Sequence, residues 1–246
     1  MRLKVNKIEQ LAHFGGAETF ANPLHVNKPN APLRSQFDAY LDVAWETSWF
    51  SNNGPLLQAF EAKLQQYLQV GHCVVVSNAT LAMQLIVQRL GLTGEVILPS
   101  YTFVSTANVL RLAGLTPVFC DIDPDSMNIC PKACAALITP RTSAVIATHV
   151  WSRPCDTDRL QQICDAAGVA LLFDAAHAFG AWHRGRPVGG FGRAEIFSLH
   201  ATKVLHAFEG GLVATNDAVL AGDLRLRRNF GFSDIDHIEI TGINAK

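Results

Sequence analysis

The chain has 246 residues, of which 49% are hydrophobic and 17% are charged, and this composition supplies a large core and argues against disorder. The formal net charge of −1 gives no general electrostatic reason to bind nucleic acid or an anionic membrane. No apolar run is long enough to span a membrane, and the N-terminal residues lack the apolar stretch of a signal peptide, so we expect a cytoplasmic protein. The six cysteines form no CxxC pair, so we predict neither a metal site nor a disulfide framework.

Residues 1–50 are rich in Pro and Asn, and we expect an irregular N-terminal segment there. A helix is predicted from Pro55, because Leu56, Phe60 and Leu64 fall on one helical face, and it ends at Gly71. Short apolar runs then alternate with helical patterns. The predicted strands are 72–77, 95–100, 116–122, 143–150, 169–174, 194–200 and 211–216. The helices predicted after the first strand are about 80–90, 103–113, 131–138, 156–167 and 217–229.

This alternation predicts the fold class. Strands that are apolar on both faces and are separated by helices form a mainly parallel sheet that is covered on both sides. No obvious crossover helix joins the last two predicted strands, so we expect one of them to run antiparallel. The prediction is therefore a three-layer α/β/α domain over residues 51–246, with a mostly parallel, mixed seven-stranded sheet.

The first candidate site follows the first predicted strand. Ligands of open α/β sheets bind beyond the carboxyl ends of the strands. Asn78, Ala79 and Thr80 open a helix at such an end, where free N–H groups and the helix dipole attract an anion. The same residues are equally an ordinary helix N-cap. No GxGxxG or Walker lysine pattern is present, so a dinucleotide or ATP site is not supported.

Further candidates follow the later strands. Phe103 either joins the core or offers a flat aromatic face. Asp174 ends a run of apolar residues, where a carboxylate needs a partner unless it caps the next helix. Ser198 and Lys203 come after AEIF, although a lone lysine is most often a surface residue. Pyridoxal 5′-phosphate (PLP) requires this whole set: phosphate donors, an apolar ring cover, a carboxylate and a lysine. Their joint occurrence predicts a PLP site.

The sequence also resembles a known family, the DegT/DnrJ/EryC1/StrS sugar aminotransferases, which are PLP enzymes of fold-type I. The resemblance runs from about LAHFGG to the last residue. It rests on the segments LPSYTFVSTAN, TPVFCDID, LLFDAAHAFG, FSLHATK, FEGGLVATND and RRNFGF. The family continues with a smaller C-terminal domain that is absent here, so we expect a truncated chain.

The resemblance implies a role for each candidate residue. Lys203 is the Schiff-base lysine, and Asp174 pairs with the pyridine nitrogen of PLP. Phe103 covers the ring. His177 lies near the phenolic oxygen of PLP, in place of the usual Gln, and a histidine there can still donate a hydrogen bond and stack.

The resemblance also implies how the phosphate is held. Its ligands are Ala79, Thr80 and Ser198, together with Asn244 from the neighbouring subunit, which lies in the TGIN segment. A ligand from a neighbouring subunit implies a homodimer with shared active sites.

The activity implied by the resemblance is the transfer of an amino group from L-glutamate to a nucleotide-linked keto-deoxysugar. The segments GGAETFANPLHVNKPN and NNGP are most similar to those of members that act on dTDP-4-keto-6-deoxyhexoses. We expect amination at C4, with C3 as the alternative. Related sugar dehydratases replace the Schiff-base lysine with histidine, so Lys203 disfavours that activity. A third alternative is a chain that binds PLP without catalysis.

Overall fold

The computed structural model describes residues 7–18, 20–23, 25 and 28–246. The expectations for residues 1–6, and for positions 19, 24, 26 and 27 of the GGAETFANPLHVNKPN segment, lie outside the described residues. The α-helices are α1 (Arg34–Thr47), α2 (Pro55–Leu68), α3 (Ala79–Arg89), α4 (Val104–Leu112), α5 (Pro131–Leu137), α6 (Thr157–Ala167) and α7 (Ala218–Arg227). Short 3₁₀ helices cover Ile8–Gln10, Ala12–Phe14 and Val150–Ser152.

Eleven strands form three sheets within the described part of the chain. The strands are β1 (His72–Val76), β2 (Glu95–Pro99), β3 (Thr116–Cys120), β4 (Thr142–Thr148), β5 (Ala170–Asp174), β6 (Trp182–His183), β7 (Arg186–Pro187), β8 (Ala194–Ser198), β9 (Gly211–Thr215), β10 (Phe232–Asp234) and β11 (His237–Ile238). The seven-stranded sheet has the order β1-β9-β8-β5-β4-β2-β3, and the other two are the hairpins β6-β7 and β10-β11.

The main sheet is mixed in the way that the sequence predicts. Strands β8, β5, β4, β2 and β3 run parallel to one another. Strand β9 is antiparallel to both of its neighbours, β1 and β8. The predicted antiparallel strand is therefore confirmed, and β9 fills that position because the loop that joins it to β8 contains no crossover helix.

Helices cover both faces of the sheet, because successive residues of each strand enter different cores. On β5, Leu171 and Phe173 join one buried cluster with residues of α2, α5 and α6. Leu172, between them, joins a second cluster with residues of α3, α4 and α7. The alternation follows from the two-residue period of a strand, and it confirms the three-layer arrangement.

The prediction of an irregular segment over residues 1–50 is wrong for residues 34–47, which form α1. Phe37, Leu41 and Ala44 recur at helical spacing, but Pro- and Asn-rich flanks conceal the pattern. Only Ala44 of this helix is buried. The predicted strand 143–150 is also too long at its end, because β4 stops at Thr148 and a 3₁₀ helix follows. The division of the chain at residue 50 stays a prediction.

Edge strand β1 has its outer backbone groups satisfied by charged side chains. Glu61 of α2 accepts a hydrogen bond from Val75 N–H at 2.9 Å. Arg228 donates to the Val75 carbonyl at 2.7 Å and to Glu61 at 2.5 Å. Arg225 donates to the Cys73 carbonyl at 3.1 Å. These contacts occupy groups that an exposed edge would offer to another strand.

The described residues contain neither a candidate membrane span nor a candidate metal cluster. None of their helices has the length and apolar character needed to cross a membrane. Nor do any three of their His, Cys, Asp and Glu side chains come together in a way that could hold a metal ion. The six cysteines are free thiols, and only Cys130 is not fully buried. A cytoplasmic location stays a prediction.

Candidate active site

Asp174 lies at the carboxyl end of β5, in the centre of the sheet, and its side chain is buried. Its Oδ2 accepts a hydrogen bond from the Thr106 hydroxyl at 2.9 Å, and its Oδ1 accepts one from Ala176 N–H at 3.1 Å. Burial raises the pKa of the carboxyl group, whereas these two donors and the nearby His177 and Lys203 lower it. The site therefore holds a carboxylate whose charge depends on a small number of neighbours.

Lys203 and His177 are close enough to Asp174 for their charges to interact. Burial lowers the pKa of the Lys203 ammonium, and the Asp174 carboxylate raises it. The pKa of His177 is lowered by burial and by Lys203, and Asp174 raises it. The structure thus brings together the acid, the lysine and the histidine that the sequence singles out, although they come from two separate loops.

Gly211 lies between the predicted phosphate ligands. It pairs with Ser198 in the β8-β9 ladder, and a Cβ atom on it would lie 2.3–2.5 Å from the Asn78–Ala79 peptide. Only a glycine allows the start of α3 to approach so closely. Ser198 and the Ala79–Thr80 segment therefore lie on either side of this residue.

The first turn of α3 offers free donors to an anion. The Asn78 side chain caps the helix by accepting from Leu81 N–H at 2.9 Å, and Ala82 N–H bonds the Asn78 carbonyl at 3.1 Å. Within the described chain, Ala79 N–H and Thr80 N–H have no protein acceptor. Two free N–H groups at a helix N-terminus suit a phosphate.

Phe103 and Asn244 lie at the same end of the sheet. Phe103 precedes α4, and its side chain is 71% exposed, so the alternative in which it joins the core is wrong. Asn244 is exposed and forms a bridge with Asn229, while the carbonyl of the next residue, Ala245, accepts from Ser77 N–H at 2.9 Å. A contribution of Asn244 to a neighbouring subunit stays a prediction.

An aromatic cluster that the sequence analysis did not identify borders His177. The Trp151 ring lies 5.1 Å from the His177 ring, and its Nε1–H donates to the Tyr101 hydroxyl at 3.0 Å. Trp151 and Ser152 have φ angles of 51° and 66°, which cost of order 1–3 kcal/mol each in residues other than glycine. The Ser152 hydroxyl donates to the His177 carbonyl. The strained turn therefore supports His177 from two sides.

Three threonines are the other residues that sequence reasoning missed. Thr106 contacts Asp174 directly, and Thr102 lies 3.1 Å from Thr106 and 3.0 Å from Thr148, measured between hydroxyl oxygens. Thr102 and Thr148 follow the strand-end rule that selected the other candidates. Thr106 does not, because it lies in the first turns of α4.

The arrangement fits PLP. The free N–H groups of α3 suit its phosphate, Asp174 suits its ring nitrogen, and Lys203 supplies an amine beside that carboxylate. A mixed seven-stranded sheet between two helical layers, with these groups at one end, defines the large domain of a PLP-dependent transferase. The chain belongs to the DegT/DnrJ/EryC1/StrS aminotransferase family, which matches residues 32–246 and whose members are PLP-dependent.

Individual relatives agree with this assignment. The chain is 40% identical to a dTDP-4-amino-4,6-dideoxy-D-glucose transaminase of Shigella dysenteriae, over 91% of this chain and 61% of the relative. It is 38% identical to the protein of the same name from Escherichia coli, over 90% of this chain and 60% of the relative. The crystal structure of DesI in the presence of its TDP-sugar product superposes with a TM-score of 0.87 at 48% identity, covering 97% of this chain and 61% of that one. The chain thus spans about three fifths of the length of these relatives.

Proposed function

We propose that this chain is the PLP-binding part of an aminotransferase that transfers an amino group from L-glutamate to a nucleotide-linked keto-deoxysugar. The observation that carries the proposal is the electrostatic contact of Asp174, His177 and Lys203 at the sheet end where α3 presents free N–H groups. The names of the relatives support a dTDP-4-keto-6-deoxyhexose as acceptor and C4 as the aminated carbon. The DesI structure, with its TDP-sugar product, supports the same class of substrate.

The proposed binding roles follow the positions of the residues. Ala79, Thr80 and Ser198 hold the phosphate, and the exposed Phe103 ring covers one face of the cofactor. His177 donates a hydrogen bond to the phenolic oxygen, and the Trp151 ring limits its movement. Asn244 reaches the phosphate of a neighbouring subunit, so the enzyme acts as a homodimer.

The proposed chemical roles belong to Lys203 and Asp174. PLP, when bound, supplies an aldehyde that joins a primary amine and a ring that withdraws electrons. Lys203 is the amine that anchors the cofactor, and burial favours the neutral, nucleophilic form because it lowers the pKa of the ammonium. With PLP bound, the Lys203 amine would move a proton between the α-carbon of the amino donor and C4′ of the cofactor. Asp174 keeps the ring nitrogen protonated, and a cationic ring in turn favours the ionised carboxylate.

Lys203→Ala tests the covalent role. We expect this variant to lose the visible absorbance that wild-type protein acquires with PLP and to lose transamination by several orders of magnitude, because Lys203 is the lysine that interacts with Asp174. Lys132→Ala, which changes an exposed lysine on α5, is the matched control and should behave as wild type. Wild-type absorbance in Lys203→Ala would show that the assignment is wrong.

The substrate is tested separately. The coloured protein should change its absorbance on addition of L-glutamate and should then aminate a dTDP-4-keto-6-deoxyhexose. NMR of the product identifies the carbon that carries nitrogen, so amination at C3 would correct the proposed position. Colour without any response to glutamate would instead indicate a chain that binds PLP without catalysis, and loss of a sugar hydroxyl without amination would indicate a dehydratase.

A further inference from the structure

Three threonine hydroxyls form a continuous line that ends on the Asp174 carboxylate. Thr106 Oγ1 lies 2.9 Å from Asp174 Oδ2, Thr102 Oγ1 lies 3.1 Å from Thr106 Oγ1, and Thr148 Oγ1 lies 3.0 Å from Thr102 Oγ1. The three come from different elements: α4, the loop after β2, and the end of β4. Thr106 has no exposed surface, and the other two are half-buried. No step of the proposed reaction uses them.

The direction of this line follows from counting hydrogens. An ionised carboxylate only accepts, and each hydroxyl has one hydrogen to donate. Thr106 must therefore donate to Asp174, which leaves its oxygen free to accept from Thr102. Thr102 has then used its hydrogen, so Thr148 must donate to Thr102. The ionised state of Asp174 permits only this one direction, Thr148 to Thr102 to Thr106 to Asp174.

A protonated Asp174 would change that order. With a proton on Oδ2, the carboxyl group donates to Thr106, and the three hydroxyls can then point the other way, towards Thr148. One proton on Asp174 therefore lets the hydroxyl hydrogens of all three threonines reverse their direction, although the threonines lie on α4, on β4 and in the loop after β2. This coupling makes the line more than a set of packing contacts.

We propose that Thr106 is a positioning residue that holds Asp174 as an oriented carboxylate, and that Thr102 and Thr148 fix the direction in which Thr106 donates. The charged groups that face Asp174 are Lys203 and His177, and its other donor is Ala176 N–H. These partners remain when Thr106 is changed, so the hydroxyl can be tested by itself. The inference rests on the proposed function only where it concerns the cofactor, which Asp174 would orient through the ring nitrogen.

The first test uses the protein without cofactor. Carboxyl-¹³C-labelled aspartate, assigned with Asp174→Asn, reports the pH at which Asp174 is half-protonated. Thr106→Val removes a donor to a buried carboxylate, so the midpoint should move up, and Thr106→Ser, which restores a hydroxyl, should return it towards the wild-type value. Thr102→Val leaves the Thr106 contact in place and should move the midpoint in the same direction by less.

Thr142→Val is the matched control, because Thr142 is a buried threonine at the opposite end of the strand that carries Thr148. It should leave the midpoint unchanged. A midpoint in Thr106→Val equal to that of wild type, or one that Thr106→Ser does not restore, would overturn the inference. If Thr106→Val does not fold, Thr102→Val tests the inference instead. An unchanged Asp174 midpoint in Thr102→Val would show that the three hydroxyls do not act together on the carboxylate.

The second test adds PLP and separates this inference from the proposed function. Loss of one charge-assisted hydrogen bond should weaken PLP binding by about ten- to a hundred-fold in Thr106→Val. It should also shift the pH dependence of the bound cofactor's absorbance, and Thr106→Ser should restore both. A moved Asp174 midpoint with wild-type binding and absorbance would support the positioning role and overturn the pairing of Asp174 with the ring nitrogen.

Discussion

His149 and Glu195, next to the candidate site, show how burial determines whether a side chain is ionised. Both side chains have no exposed surface, and His149 Nε2 lies 3.9 Å from Glu195 Oε2. That separation would suit a weak ion pair, but burial lowers the pKa of His149 to about 3 and raises that of Glu195 to about 8. Both groups are therefore neutral over most of the range between these values. The backbone N–H of His149 donates to the Asp174 carbonyl at 3.0 Å, so the residue that carries the neutral imidazole is joined to the strand end of the candidate site.

Glu195→Gln should flatten part of the pH dependence of stability. The folded carboxyl group has a pKa of about 8 and keeps its proton up to that pH, whereas the unfolded one releases its proton near the ordinary pKa of 4.5. Raising the pH between these values therefore favours unfolding. The free energy of unfolding of wild type relative to the variant should fall, on the order of a few kcal/mol, between pH 5 and 8. Urea unfolding of both proteins measures this difference. Glu209→Gln, at an exposed glutamate, is the control, and the same slope in wild type and Glu195→Gln would contradict the prediction.

Some site residues can be predicted from the strand beside them in sequence, and others act only through contacts between distant elements. Asp174 and Lys203 could be predicted because each follows an apolar strand, and a single rule places all strand ends at one edge. Thr106 and Trp151 could not, because their roles come from contacts between elements. Thr106 reaches Asp174 only because the fold brings the first turns of α4 to the end of β5, and Trp151 reaches Tyr101 only through a left-handed turn that nothing in HVWSRP requires.

At the scale of elements, β1 is held by charged side chains on one edge and by a strand partner on the other. It has a single ladder neighbour, β9, and its other edge is held by Glu61, Arg225 and Arg228. Arg228 is only 2% exposed, so its charge is balanced inside the protein and not by solvent. A buried ion pair of this kind is weak support for stability as a whole, but removing one partner is costly.

Arg228→Met should therefore lower the free energy of unfolding by about 3–5 kcal/mol, because Glu61 would stay buried without its closest cation. The expected change is measured by denaturant unfolding, with hydrogen exchange at Cys73–Val76 as a local readout. Arg34→Met removes an exposed ion pair with Asp38 and is the matched control, with no expected change. If Arg228→Met is as stable as this control, the contacts of Arg228 with Glu61 and β1 contribute little to the stability of the protein.

The elements themselves were predictable to different degrees. Strands β1 to β5, β8 and β9 and the helices between them carry strong apolar periods, and their bounds differ from the predicted ones by at most two residues at either end. Helix α1 was missed because its apolar residues have little core to meet: Tyr40 and Trp45 are 54% and 67% exposed. A helix that buries so little surface needs only a narrow apolar stripe, so its periodicity in the sequence is weak.

At the scale of the whole molecule, the N-terminal segment holds the loop that follows Lys203. His206 Nε2 lies 2.6 Å from the Asn30 carbonyl oxygen, and the Asn30 side chain donates to the Val204 carbonyl at 3.1 Å. The Phe37 ring of α1 meets Phe208 edge-on at 5.6 Å. Residues distant in sequence thus restrain the segment that follows Lys203.

Phe37→Ala should loosen that loop. Loss of the ring contact should speed amide hydrogen exchange at residues 204–208, because the Phe37–Phe208 contact is one of those that hold this loop against the N-terminal segment. Tyr40→Ala is the control, since Tyr40 lies on the same helix but contacts Lys63 of α2. Unchanged exchange in Phe37→Ala, or an equal increase in both variants, would show that α1 does not restrain the loop specifically.

The antiparallel strand β9 has a consequence for the order in which the molecule is assembled. His72 pairs with Thr215 and Val76 with Gly211, so β1 gains its ladder only after most of the chain has been synthesised. Strands β2 to β5 pair with neighbours much nearer in sequence, and such pairings form sooner. Pulse-labelled exchange during refolding should therefore protect β4 and β5 before β1. Because the start of α3 rests against Gly211, the candidate phosphate-binding end of the site should form only after β9 has joined the sheet, so a cofactor that needs this end would bind late in folding.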